Sequence, residues 1–479
     1  MFKALDKWLP GYVRSVLDRP PCVGGVKHLI FCVADHFEPL ELLDHPVDAE
    51  RAEYFPGRED RLHIVRDWAG KYPESVAPFR DSDGMPPRHT FFCAPNDYAP
   101  DWMGMLAAGL CRRGFGEVEL HLHHRNDTAE GLAQKLCGFR DRLRKDHGLL
   151  GSWRPEGRRW EGGRGTGTED RASLTGGVSA PGVSKLPSPA SLSPPTFHLP
   201  PPAIPAFGFI HGNWALCNSR PDRDHCGVND ELSVLTRAGC YADFTFPSAP
   251  SPTQPRVVNQ IYRAVDRAGG RGQDHGVRCE VSGVRRQASG GRGRGEERRT
   301  SNIERQASVQ DRSPALTFDV GRSMLDVRLL SEDDLSYAIC SSLMLVQGPL
   351  ALDWARRKWG VLPRLDNGGV THHNLPTPAR IDLWVRQGIH VRGRPEWVFV
   401  KVYTHGCIPS SSRVFLGPAM RLAHQHLQSR YNDGSAWRLH YATAREMYNI
   451  VRAAEDGRVG EPGEFRDYEV APPPVSGGE

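Results

Sequence analysis

The chemistry of this chain is concentrated in one run, Glu117-Val-Glu-Leu-His-Leu-His-His-Arg-Asn-Asp127-Thr128. It reads as a strand that ends in a polar cluster. An extended chain sends alternate side chains to opposite faces, so Glu117, Glu119, His121 and His123 share one face. His124 follows where the strand would give out. Three imidazoles and a carboxylate in so short a space have the composition of a metal site, because neutral imidazole is a common zinc ligand. The competing reading is an exposed polar strand end, or one catalytic histidine among idle neighbours.

Other strand-like segments end in the same way. Lys27-His-Leu-Ile-Phe-Cys-Val-Ala34 is an apolar, β-branched and aromatic run, and it leads into Asp35-His-Phe-Glu-Pro39. Ala206-Phe-Gly-Phe-Ile-His211 leads into Gly-Asn213-Trp214, and Trp397-Val-Phe-Val-Lys-Val-Tyr403 into Thr404-His405-Gly406. In a parallel α/β barrel such strand ends converge on one face. One Asp with two His makes a three-ligand site with an open position for water. A bound metal lowers the pKa of that water and polarises a carbonyl oxygen. A carboxylate or imidazole beside it acts as base or acid. This is an arrangement for hydrolysing an amide or an ester. Each group also has a plainer reading. Asp35 caps the next turn, Asn213 braces a turn, Trp214 is core, and His405 is a loop histidine satisfied by its neighbours.

The elements between these ends alternate. Residues 51–72 read as a helix with Leu62, Ile64, Val65 and Trp68 on one side, 89–93 as a second buried strand, and 102–113 as a helix closed by Gly114. A helix over 128–146 is capped by Asp127 or Thr128. A helix over 229–238 and a short strand over 240–246 follow. Order resumes at 343–350. Helices are expected over 376–387 and 414–429, and the segment 437–441 leads into a last helix, 444–454. Strand–helix alternation implies parallel neighbours with right-handed crossovers. The expected fold class is α/β.

Composition interrupts this pattern twice. Residues 151–205 are Gly, Ser, Pro and Arg with almost no apolar periodicity. Residues 266–331 are rich in Arg, Gly and Ser. Neither can bury enough surface to offset its ordering entropy, so both are expected to be disordered insertions. The domain reading is therefore an N-terminal extension over 1–26, a barrel in three pieces (27–150, 206–265 and 332–458), and a flexible tail over 459–479. The first residues form a short amphipathic segment, read as a helix packed on the domain, with peripheral membrane contact as the alternative. Lys+Arg 61 against Asp+Glu 57 gives a formal net charge of +4, which does not argue for nucleic acid. No run approaches the apolar length a bilayer needs. Eleven scattered cysteines without CxxC pairs or a secretory segment suggest a reducing, cytoplasmic setting. Trp354-Ala-Arg-Arg-Lys-Trp359 reads as a basic helix face open to solvent, and His372-His373 as surface.

The order of these motifs resembles the NodB-homology polysaccharide deacetylases, within the wider glycoside hydrolase/deacetylase barrel superfamily. Phe31-Cys-Val-Ala-Asp35 stands where that family has its first strand and aspartate motif. Arg88-His-Thr-Phe-Phe92 is similar to its second strand, and Gly114-Phe-Gly-Glu-Val-Glu-Leu-His121 to its approach to the metal histidines. Leu235-Thr-Arg-Ala-Gly-Cys-Tyr-Ala-Asp243 and Val398-Phe-Val-Lys-Val-Tyr-Thr-His405 resemble two later segments. Together these span 27–147, 206–262 and 343–453. The resemblance implies a distorted (β/α) barrel, a divalent metal that is usually zinc, and removal of N- or O-acetyl groups from a carbohydrate or glycolipid. It makes Asp35 and His121 metal ligands. The second metal histidine should lie four residues on, where Arg125 stands, so His124 or His123 must substitute. The family's usual pair of adjacent aspartates is reduced to Asp35 alone, which leaves Glu38 as the candidate base. His405 becomes the general acid, and His211, Asn213 and Trp214 line the substrate groove. Two rivals remain. One is a metal-free glycoside hydrolase using Glu38 and Glu119, and the other is a non-catalytic carbohydrate-binding or regulatory barrel.

Overall fold

The structure is a computed structural model and describes residues 4–20, 24–40, 58–154, 204–266, 277–281, 325–326 and 342–474. Most of the two insertions lies outside the described residues. A central sheet is laid down by β1 (Lys27–His36), β2 (His89–Cys93), β3 (Gly116–Leu122), β4 (Gly151–Trp153), β5 (Pro205–His211), β6 (Cys240–Asp243), β7 (Ile261–Asp266), β8 (Val277–Val281), β9 (Leu325–Asp326) and β10 (Leu343–Val346). β11 (Ala351–Lys358) and β12 (Leu362–Asp366) form a separate antiparallel hairpin, while β13 (Trp397–Thr404), β14 (Trp437–Tyr441) and β15 (Val470–Ala471) rejoin the sheet. The strand order β13-β1-β2-β3-β5-β6-β10 is parallel throughout. β7 and β8 then extend it antiparallel. The first half of β1 pairs with β14 and its last residues pair with β2 on the same side. No ladder joins β10 to β13 among the described residues. The fold is an α/β sheet, and among the described residues the closed barrel expected from the resemblance is not seen.

Pleat parity explains the two faces. Leu29, Phe31 and Val33 of β1, Val118 and Leu120 of β3, and Phe207 and Phe209 of β5 join one apolar cluster. Covering it are α2 (Arg58–Val76), α3 (Pro100–Leu106), α4 (Ala129–His147), α5 (Glu231–Arg237) and α8 (Pro418–Tyr431), through side chains such as Trp68, Trp102, Leu136, Leu235 and Leu427. Ile30, Cys32 and Ala34 of β1, Phe92 of β2, Ile210 of β5, Met344 of β10 and Phe399 of β13 face the other way. They pack around α9 (Ala444–Glu455), whose twelve residues are all buried. Strands from both ends of the parallel run reach this one helix, so the sheet curls about it. Lys401 of β13 also reaches across, and its Nζ donates to the carbonyls of Phe244 and Phe246.

A helix buried on every side is ordinarily apolar all round. α9 instead carries charges that are matched one by one. Arg445 forks onto Glu117, with Nε to Oε2 at 3.0 Å and Nη2 to Oε1 at 2.8 Å. Glu446 meets Arg88 and Arg466, and Glu455 pairs with Arg263 at 2.7 Å. Thr443 and Glu446 form a capping box at the first turn. Burial alone would raise the Glu446 carboxyl, but the Arg88, Arg466 and Arg445 guanidiniums hold it down to about 2, against an ordinary 4.5. A depressed carboxylate stabilises the fold above its unfolded pKa and loses that contribution as pH falls towards the folded one. Acid unfolding followed by circular dichroism is therefore expected to set in below about pH 4.5 and steepen towards pH 2. Glu446→Gln should flatten that limb.

Several expectations need correcting. Gly151–Trp153 lies in a stretch read as disordered, yet it is strand β4 and pairs with β5 and β15. β8 and β9 likewise fall inside the second insertion. The tail is not loose over 462–471: Phe465, Tyr468 and Val470 are buried, and Asn449 of α9 donates to the carbonyls of Arg466 and Val470. The expected helix over 414–429 is two, α7 (Pro409–Phe415) and α8, broken at Gly417-Pro418. Trp354 lies within strand β11 and Trp359 just after it, not on a helix face, and both are exposed. α6 (Pro378–Val385) starts behind the Thr377 cap. The amino-terminal helix α1 (Leu5–Leu17) seats Trp8 against Ala249, Val258 and Leu350. No described helix is long and apolar enough to cross a membrane.

Candidate metal centre

Register aligns the carboxyl-terminal ends of the central strands. Asp35 pairs with Thr404, His36 with Phe92, and Leu122 with His211. Parity then sorts the polar residues beyond them. His36 and Glu38 continue the Ile30–Cys32–Ala34 face, and His121 and His123 continue the face of Glu117 and Glu119. These four meet on the concave side, above α9.

Their donor atoms converge. Glu38 Oε1 lies 3.2 Å from His121 Nε2 and 3.3 Å from His123 Nε2, and the two imidazole nitrogens are 3.0 Å apart. His36, Glu38 and His121 each offer one donor atom within 4.8 Å of the others. The His121 Nδ1–H donates to the Ile210 carbonyl at 2.8 Å, which turns its Nε2 into the cluster. Glu38 Oε1 is buried and accepts no aligned hydrogen bond. Burial would raise this carboxyl, but the His121 and His123 imidazoles outweigh it and hold it well below the usual range. Burial, with His405 and His121 adding to it, holds His36 well below the ordinary histidine range, so its ring is neutral. A carboxylate and imidazole nitrogens converging on one point are the donor set a divalent cation takes, and its binding would displace the imidazole protons that now face Glu38. The residues present fit such an ion.

His405 stacks on the His36 ring at 4.6 Å. Asn213 is exposed at the rim, and its side-chain amide lies 3.2 Å from His123 Nδ1 and from His225 Nδ1. Trp214 is half-buried beside it. Gly212 packs so closely under the His123 ring that a methyl group there would overlap it. The loop after β5 is strained: Asn213, Trp214, Cys217 and Asn218 all have φ between 52° and 55°. Each such non-glycine conformation costs on the order of 1–3 kcal/mol, and such costs concentrate at functional sites.

Three expected site residues are placed elsewhere. Asp35 has the opposite parity to His36 and sits on the helix-covered face, fully buried. Its Oδ2 accepts from His89 Nε2 at 2.8 Å and its Oδ1 from the Gly406 N–H at 2.5 Å, so both oxygens are committed to holding β1, β2 and the β13 exit together. His124 and His211 also turn to the helix-covered side, where they meet Glu231 of α5 and Cys226. His211 is fully buried and so cannot line an open groove. Burial pushes its ring down to about 4. His36, Glu231 and Cys226 received no role in the sequence reading. For His36 the signal was available, since it follows Cys32 and Ala34 at even spacing. For Glu231 and Cys226 nothing local marks them.

Comparison with family models, with curated proteins and with solved structures finds no match to this chain.

Proposed function

We propose that this protein is a metal-dependent hydrolase that removes acetyl groups from a carbohydrate or glycolipid. The observation that carries the reading is the triangle of Glu38 Oε1, His121 Nε2 and His123 Nε2, with edges of 3.0–3.3 Å, at the strand ends. Tetrahedral zinc with bonds of about 2.0–2.2 Å sets its ligands roughly 3.3–3.5 Å apart. Glu38, His121 and His123 would hold the ion, with His36 as a further neutral nitrogen. When bound, a divalent ion there supplies an activated water and a polarised acyl oxygen. The carboxylate of Glu38 balances charge, and the Ile210 carbonyl fixes the His121 tautomer. His405, stacked on the His36 ring, would protonate the departing amine or alcohol. Asn213 and Trp214 at the rim meet the sugar. Glycan as substrate class is supported by the sequence resemblance, whose segments lie on β1, β2, β3, β6 and β13 of one sheet.

The metal-free glycosidase is less well supported. Glu119 is sealed beneath the cluster, where Tyr241 Oη donates to its Oε1 and the Gly208 N–H to its Oε2, both at 2.5 Å. Burial pushes it up to about 8. It offers no open carboxylate to a sugar. The test is acetate release from acetylated oligosaccharides before and after chelation. Release that stops on chelation and returns with zinc is expected. Chelator-insensitive cleavage of the glycosidic bond would transfer the assignment to the carboxylate mechanism. Metal binding without turnover on any acetylated glycan would point to a binding protein.

A further inference from the structure

A second histidine cluster lies on the helix-covered side of the sheet. His124 Nε2 and His211 Nε2 are 2.8 Å apart, and Glu231 Oε1 lies 3.2 Å from the first and 3.4 Å from the second. Cys226 Sγ completes a set whose donor atoms all fall within 4.8 Å of one another. The four residues are buried. The His211 Nδ1–H donates to the Gly212 carbonyl at 2.5 Å, so its Nε2 carries a lone pair. His124 Nε2, His211 Nε2 and Glu231 Oε1 point at one another, and His124 Nδ1 is buried 3.2 Å from the Asp127 carboxylate without an aligned hydrogen bond. Unmatched buried polar groups are costly, and a cation held among them together with the Cys226 sulfur would satisfy them at once.

Contrast the other end of the sheet. There His28, His440 and Glu461 also cluster. His440 donates from Nδ1 to Asp83 at 2.8 Å and accepts at Nε2 from His28 at 3.0 Å. That chain of hydrogen bonds closes without an ion.

We propose that His124, His211, Glu231 and Cys226 form a second, closed site for a divalent cation, and that its role is structural. Two imidazoles, a carboxylate and a thiolate suit zinc, and four protein donors without exposure leave no position for substrate. The ion ties the ends of β3 and β5 to α5 and to the loop bearing Cys226. The outer contacts are in place: Gly212 orients His211, Asp127 faces His124, and the Cys217 N–H donates to Glu231 Oε2 at 2.6 Å. The same ion offsets the strained backbone at Cys217 and Asn218. This site stands apart from the hydrolase reading and does not depend on it.

The experiment is elemental analysis of the full-length protein, loaded with zinc and desalted, together with cobalt(II) spectra. Wild type should hold two ions per chain. His121→Ala should lose one and keep the thiolate-to-cobalt charge-transfer band in the near ultraviolet. His124→Ala should lose the other ion together with that band. Cys226→Ser, a milder change, should lose the band even if it still holds zinc. A wild type with one ion, lost in His121→Ala, and with no thiolate band would overturn the second site. One ion that persists in His121→Ala and carries the band would support it and refute the catalytic centre instead.

Discussion

His121→Ala should leave the protein folded but without the ion proposed for its catalytic centre, and acetate release should fall by at least a hundredfold. Loss of an outer contact to a ligand already costs about 10–100-fold in affinity or activity, and here a ligand itself is removed. His121 is also the best-fixed member of the cluster. It is fully buried, held by the Ile210 carbonyl and flanked by His36 at 4.7 Å and His123. Its removal opens a polar cavity beside Glu38, whose charge then lacks its nearest partner. The fold should tolerate this, because the apolar clusters on either side do not pass through His121. Elemental analysis gives the ion, an acetate assay gives the rate, and a thermal melt separates both from unfolding. A variant that keeps wild-type turnover would remove His121 from the chemistry.

The second large effect lies in α9, beneath the centre. Arg445→Met is expected to destabilise the fold by about 3–5 kcal/mol, the usual consequence of removing one partner of a buried pair. Arg445 is 2% exposed, and it satisfies Glu117 together with the carbonyls of Arg466 and Val470. Without it, Glu117 keeps Thr443 Oγ1 at 2.9 Å and Arg88 at 3.6 Å, and the two carbonyls lose a donor. The double change Glu117→Leu/Arg445→Met should recover much of the loss, since matched apolar replacement of a buried pair is often neutral. Denaturant midpoints measure both. A loss below about 1 kcal/mol in Arg445→Met would mean that α9 is held by packing alone.

Both effects were only partly legible in the sequence. Strand ends carrying histidines can be read from apolar runs and their terminal polar groups, and the shared face of Glu117, Glu119, His121 and His123 follows from a period of two. Parity inside one strand does not say which face of the sheet is concave. For that reason the family-like aspartate, Asp35, looked like a ligand although it belongs to the helix side, while His36 beside it went unassigned. His124 looked like a neighbour of His121, yet one residue of extended chain sends it to the opposite face. Partners such as Glu231, 107 residues from His124, are fixed by tertiary packing. The tail and β4 were misread because their contacts are long-range. Their composition resembles linker, and only pairing with β5 and burial of Phe465 and Val470 order them.

The central claim is tested most directly by diffraction from zinc-loaded crystals at the zinc absorption edge. An anomalous peak is expected between Glu38 Oε1, His121 Nε2 and His123 Nε2, absent in His121→Ala crystals. A map with no peak there, or with one only at His28, His440 and Glu461, would contradict it.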